Sequence, residues 1–460
     1  MGKAINWIRL GVIISFCLLI YQSTASANWV AFVKGSVEQF YDSNIFLDPD
    51  DFHRPGANKS DFRTNLVPGF GIRNEGKRQN LSLEYDLFCS FFYNNSDQNY
   101  VGHMVDFNFE RFLTEHIRFY MKDYVSVSEE PESATYDYVT VNYGRKKNLT
   151  NSGEGGIEFL MRGDSSLTFY YLDNRLYYLD DNDYPRSIHG NRLGYDDSVT
   201  YGPGTHLIYW FTKSHGIDVT YEWKRVDYDY KKSERRDYLD FYYKYRTSED
   251  NVFYGNFIYD YVDLKTPYLS DYQIYRILVG LERKFSREWS AEFFGGYYYR
   301  TFNDDKVKVG DLIEDTSDDD GFVGGGSITY NQERWQLQLK GEYGLRIQYG
   351  DYNNRGFTRF RNIELNFDYN ITDRLHSFIS LFYEHEEYPN SLAEVFLGDR
   401  RREFYDALVG VEYLFLPWLS GKLQYEYSKE SASRIRFDIP VGYTDHIGFI
   451  GLYANYDLLK

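Results

Sequence analysis

The sequence has 460 residues, a formal charge of −18 and 20% aromatic side chains, 48 of them Tyr and 35 Phe, yet its mean hydropathy is polar, at −0.58. Such acidity excludes nucleic acid as a partner, because phosphate recognition requires basic patches. Only Cys17 and Cys89 are present, which rules out a cysteine-rich zinc site and a Cys-x-x-Cys-His haem attachment.

The chain begins with Lys3 and Arg9, an apolar run from Leu10 to Ile20, and the small-residue box Ala25-Ser26-Ala27. This is the pattern of a signal peptide over residues 1–27, and its apolar run is too short to span a bilayer. Cys17 lies within it, so Cys89 has no partner for an intrachain disulfide. No later stretch approaches 20 apolar residues, so no transmembrane helix is expected. A secreted chain of this kind can still cross a membrane as a closed β-barrel.

Residues 28–460 show no break in composition and are read as one barrel domain. Period-two alternation recurs through them. Leu81, Leu83, Tyr85, Leu87 and Cys89 oppose Ser82, Glu84, Asp86 and Ser90. Val105, Phe107 and Phe109 oppose Asp106, Asn108 and Glu110. Ile217, Val219, Tyr221 and Trp223 oppose Asp218, Thr220, Glu222 and Lys224. Tyr275, Ile277, Val279 and Leu281 oppose Arg276 and Glu282. From Trp335 to Tyr349, Leu337, Leu339 and Leu345 share one face, and Gln338, Lys340, Glu342 and Arg346 the other. Ile363, Leu365 and Phe367 then oppose Glu364, Asn366 and Asp368. Successive side chains of a strand point to opposite faces, so each segment has one greasy and one charged face. The alternating runs exceed the five or six residues usual in soluble strands and reach the roughly 9–11 that a tilted membrane strand needs. Tyr170-Tyr171 and Tyr297-Tyr298-Tyr299 are less regular, with aromatics on both faces.

Connections alternate in length. Short ones include Thr114-Glu115-His116, Thr212-Lys213-Ser214-His215, Ser286-Arg287-Glu288 and Thr372-Asp373-Arg374; long ones include Asn44–Lys59, Leu179–Asp197, Asn303–Asp320 and Glu387–Arg400. Short periplasmic turns and long outer loops mark a bacterial outer-membrane barrel. The fold class expected is all-β, a single antiparallel transmembrane barrel of 20 or 18 strands. The ambiguity lies in Glu129–Asn151, where Tyr136–Tyr143 reads either as a loop hairpin or as part of a strand.

The polar faces define the expected lumen lining: Glu84, Asp106, Glu110, Arg118, Lys122, Asp218, Glu222, Lys224, Arg276, Gln338, Lys340, Glu342, Arg346, Glu364 and Asp368, with Tyr120, Tyr124 and Tyr298 as rings able to stack on sugars. Most other Tyr and Trp belong at the membrane interfaces. The mixed charges read as a salt-bridged wet interior. Acid runs in the outer loops, such as Asp48-Pro49-Asp50-Asp51 and Asp318-Asp319-Asp320, read as solvated loop, and no metal or other cofactor is expected. His103, His206 and His385 have acids within reach, but the nine histidines share no partner spacing, and no enzyme activity is expected.

Leu81–Glu132 resembles the outer-membrane β-barrel porins of the porin 2 type that accompany exopolysaccharide genes. The likeness rests on a Tyr-rich strand, the Asn95-Ser96-Asp97 loop, His103 ahead of the next strand, the Leu113-Thr114 turn and the acidic Glu129-Glu130-Pro131 stretch. Tyr369-Asn370-Ile371-Thr372-Asp373-Arg374 repeats the same turn grammar. The resemblance implies a pore of 18 to 20 strands in the outer membrane, working with a periplasmic polysaccharide-export protein on a glycan cargo. It assigns no functional residue. A general diffusion porin, a sheath for an electron-transfer cytochrome and a structural or adhesive barrel remain open from the residues alone.

Overall fold

The computed structural model describes residues 28–459 except 48–49, 51–57, 130, 137–138, 146, 180–196, 230–232, 264–270, 304–305, 310–311, 316–318, 348–356, 388–400 and 433–441. The proposed signal peptide and most of the loops Leu179–Asp197 and Glu387–Arg400 lie outside the described residues.

Twenty antiparallel strands form one sheet in which each pairs with the next along the chain. The first strand, Asn28–Asp42, also pairs with the last, Thr444–Leu459, from Ala31 opposite Leu459 to Asp42 opposite Ile447, so the sheet closes on itself and has no edge. The ambiguous segment resolves into a hairpin outside the barrel, Pro131–Tyr136 with Val139–Arg145. This settles the count at 20. A second small hairpin, Lys306–Val309 with Leu312–Asp315, sits in the loop that follows Trp289–Phe302. The segment expected to reach Tyr349 is described as a strand over Trp335–Ile347.

Alternation decides which face meets lipid. Phe70, Ile277, Val279, Phe322 and Leu423 are each more than half exposed on the outer face; in water they would be an aggregation surface, in a bilayer they are its contact. Rings gather at both ends of the wall. Tyr330 packs at a tilt against Trp289 and Trp335 at 4.4 and 4.7 Å beside the short turns, and Phe62 contacts Tyr41 and Tyr93 at 5.1 and 6.5 Å near the long loops. These are the two interfacial girdles of a membrane barrel.

The short turns share a chemical device. Thr212 Oγ1 accepts from the backbone N–H of Ser214 and His215, Thr372 Oγ1 from Arg374 and Leu375, and Ser286 Oγ from Glu288 and Trp289. A hydroxyl thereby satisfies turn amides that have no ladder partner. Ser286 also donates to Glu288 at 2.7 Å, which holds that carboxyl below its usual range.

Two prolines sit inside barrel strands. The ladder skips from Leu66–Cys89 to Gly69–Asp86 around Pro68, and from Tyr201–Arg225 to Gly204–Glu222 around Pro203. A residue without an N–H interrupts pairing on one side, and the strand continues through its other neighbour.

Candidate functional site: the lumen wall

The cross-strand register carries one parity round the barrel, and the charged residues expected to line the lumen share it. Glu84 lies opposite Asp106, Lys122 opposite Glu154, Arg276 opposite Tyr298, and Lys340 opposite Glu364. Side chains on this concave face reach across an intervening strand, which shows it to be the inside. Lys34 Nζ reaches Glu84 at 2.6 Å and Asp86 at 3.0 Å from two strands away, over Gly69 and Gly71. Tyr170 donates to Glu222 at 2.8 Å across the strand carrying Gly204, and Tyr254 to Glu292 at 2.9 Å across the strand carrying Gly280. A Cβ at Gly204 or Gly280 would overlap the tyrosine ring lying on it.

The structure sorts the expected lining residues into local networks. Arg118 binds Glu110 at 2.8 Å and Glu158 at 2.6 Å, and lies with Lys122 at 6.0 and 5.8 Å from the Tyr120 ring. Asp218 accepts from His206 at 2.8 Å and from Lys244 at 2.9 Å. Glu222 also pairs with Lys224 at 2.6 Å. Asp106 accepts from Asn108, Glu364 from Asn366 at 2.7 Å, and Asp368 lies 3.1 Å from His376. Arg346 forks onto Glu384 and Glu386 at 2.6 and 2.8 Å. Gln338 and Glu342 face Asn366 and Asn362 in the register. Tyr124, 40% exposed, looks into the lumen opposite Asp106.

Three expectations change. Tyr298 keeps the lumen parity but is only 2% exposed. It packs with Val262, Tyr272, Ile274, Phe302, Val323 and Leu345, and its hydroxyl donates to Asp319 and accepts from Arg359 at 3.1 Å each. A ring sealed in this way offers no face to a passing sugar. Leu345, expected on the lipid side, is 5% exposed within the same cluster, because the pairing between Asp319–Asn331 and Trp335–Ile347 ends at Gly324–Tyr343 and the strand is freed from the outer-face pattern beyond it. Asp319 and Asp320, read as solvated loop, begin a barrel strand, where Asp319 pairs with Arg300 at 3.4 Å and with Arg359.

Sequence reading missed Lys34, Arg236 and Arg402 as lumen groups. Arg236 clamps Asp260, and Arg402 bridges Glu386 and Glu430 at 3.1 and 2.9 Å. The available clue was glycine at lumen-parity positions, such as Gly69, Gly156, Gly204 and Gly280, each marking where a long neighbour lies across the wall. Of the histidines, His206 and His385 have acid partners, while His103 faces lipid and meets the Tyr85 hydroxyl at 2.8 Å.

A closed barrel with an apolar exterior and a charged, polar interior places the chain in the outer-membrane class, among proteins with the porin and transporter fold. Solved structures agree at the level of fold. Two variants of the FrpB iron transporter from Neisseria meningitidis, F5-1 and F3-3, superpose with TM-scores of 0.54 and 0.52, at 10% and 9% identity, over 93% and 94% of this chain and 82% of each of theirs. OpdO of Pseudomonas aeruginosa aligns over 94% of this chain and 98% of its own at 12% identity, with a TM-score of 0.42. No family model and no curated protein matches the chain.

Proposed function

We propose that this protein is an outer-membrane channel for polysaccharide, related to the exopolysaccharide-associated porins that Leu81–Glu132 resembles. The observation that carries the reading is the polar inner wall, in which carboxylates, guanidinium groups, amides and tyrosine hydroxyls follow one another from strand to strand. A barrel of 16–18 strands already encloses water, and 20 strands enclose more. In this reading residues 1–27 direct export and are removed, and a periplasmic polysaccharide-export protein delivers the glycan.

The charge distribution favours a neutral glycan over an acidic one. On the arc formed by the last three strands and the first, the acids Asp406, Glu412, Glu426, Glu430, Asp445 and Glu38 face inward and outnumber the cations Lys422, Arg402 and Lys34 among them. Acid-rich walls favour cations and repel a polyanion. Planar bilayers provide the first test: a steady, cation-preferring conductance is expected, and silence would sink the channel. A deletion strain provides the second. Loss of surface polysaccharide is expected; normal surface glycan with impaired uptake of small solutes would leave a general diffusion porin instead.

A further inference from the structure

Between the strands Asp61–Gly76 and His215–Tyr228 the inner wall opens into a recess of about 940 Å3. One row of alternating rings and glycines crosses it: Tyr120 pairs with Gly156, Gly156 with Tyr170, and Tyr170 with Gly204. A Cβ at Gly156 would stand 2.8 Å from Tyr120 Cε1 and Cζ, and one at Gly204 would run into the Tyr170 ring. Both rings therefore lie along the wall on bare backbone and turn their other side to the lumen. The Tyr170 hydroxyl is held on Glu222 at 2.8 Å, and the Tyr120 ring lies between Arg118 and Lys122 at 6.0 and 5.8 Å, so both rings are braced before any ligand arrives.

The charges around these rings select the ligand class. Arg73, Arg118 and Lys122 share the recess with Glu75, Glu110, Glu154 and Glu158. Arg118 is already satisfied by Glu110 and Glu158, and Arg73 by Asp457 at 3.2 Å. An anion would meet carboxylates, and the cations it needs are largely spoken for. A neutral molecule with an apolar face and a rim of hydroxyls meets none of that penalty: its face lies on the rings and its hydroxyls find the acids, Asn80 and Asn108. A pyranose ring has this form.

We propose that the recess is a binding subsite for a neutral pyranose unit, with Tyr120 and Tyr170 as the stacking platform and Glu154, Glu158 and Asn108 as hydroxyl partners. It deepens the glycan-channel reading and rests on it for the origin of its ligand. Tyr298 also lies over a glycine, Gly321, but is buried, so the platform belongs to this recess.

The test titrates the purified full-length barrel in detergent with maltohexaose, cellohexaose and chitohexaose, with a sulfated oligosaccharide as control, by calorimetry. At least one neutral probe is expected to bind. Replacing both rings, Tyr120→Leu with Tyr170→Leu, should weaken that binding about tenfold, the worth of one to two aromatic contacts, while the Phe pair keeps most of it. A general structural role would not separate Leu from Phe in this way once both show the heat-modifiable mobility of a folded barrel. If the Leu pair does not fold, Lys122→Cys in a Cys89→Ser background replaces it, and its maleimide labelling should slow when the neutral probe is present. Binding unchanged in the Leu pair, labelling unchanged by the probe, no binding of any neutral probe, or preference for the sulfated control each overturns the subsite. Conductance without sugar binding removes the subsite alone; sugar binding without conductance removes the channel alone.

Discussion

Two stretches of the inner wall use the same parts to opposite ends. In one, Tyr120 and Tyr170 lie over Gly156 and Gly204, the Tyr170 hydroxyl rests on Glu222, and the rings border open space. In the other, Tyr298 lies over Gly321 with its hydroxyl on Asp319, and it is sealed beneath neighbouring side chains beside a fully buried Arg300. Ring, glycine and acid are the same, and what differs is the neighbourhood. Around Tyr298 the strands carry Val262, Ile274, Phe302 and Val323 inward. Around Tyr120 and Tyr170 they carry Arg118, Lys122, Glu154 and Thr168. A tyrosine on a barrel wall is thus a packing element or an open surface according to residues that lie tens of positions away in sequence.

This contrast should appear first as stability. Asp319→Ala removes the acid that pairs with buried Arg300 and with Arg359 and should cost about 3–5 kcal/mol in urea unfolding, whereas Glu110→Ala, in the half-exposed Arg118 pair, should cost no more than about 1 kcal/mol. Equal costs would erase the distinction between the two walls. Tyr298→Ala should lose about 3 kcal/mol, as buried aromatic truncations do, and Tyr124→Ala, on the open side, should stay within about 0.5 kcal/mol, both read from the same unfolding curves. Outside the barrel, Leu339→Arg should cost about 2–4 kcal/mol if Leu339 lies near the bilayer midplane, and a smaller loss would place it nearer an interface. Cysteine labelling fixes the register independently: an aqueous maleimide should reach a thiol at Gln338 and not at Leu339, and the reverse pattern would mean a one-residue slip that inverts every side chain. The glycines divide by what a new side chain would meet. Gly204→Val should cost about 1–3 kcal/mol by overpacking against Tyr170, while Gly255→Ala, with nothing within 4 Å of its new Cβ, should be close to neutral in thermal midpoint.

The barrel was legible because its main determinant is local. Leu337, Leu339, Gln338 and Lys340 declare their faces by alternation alone, and Thr212 or Thr372 declares a turn by one hydroxyl. The register likewise follows once lipid claims one face. Illegible were the relations between strands. Nothing near Tyr298 in sequence announces Leu345 or Arg359, and nothing near Asp319 announces that an acid run ends inside a wall. Arg236 and Arg402 were missed for the same reason, since Asp260 and Glu430 lie in other strands. Glycine was the one usable clue to such reach, because a residue with no side chain on an otherwise polar face implies that a neighbour occupies its place.

The joining of the first strand to the last governs how the barrel can be made. Asn28–Asp42 and Thr444–Leu459 meet along most of their length, and beyond the strands Ser43 still bonds His446 and Asp445. These contacts are nearly as distant in sequence as the chain allows. Until the final strand exists, both outer strands present unpaired amides, each costing several kcal/mol in hydrocarbon. Insertion one strand at a time is therefore uphill, and the productive route is to curl most of the sheet before or while it enters lipid. Such non-local closure makes folding slow. It also makes the finished barrel persistent, because unfolding must first tear a whole ladder apart inside the bilayer, so its durability is a matter of rate as much as of equilibrium.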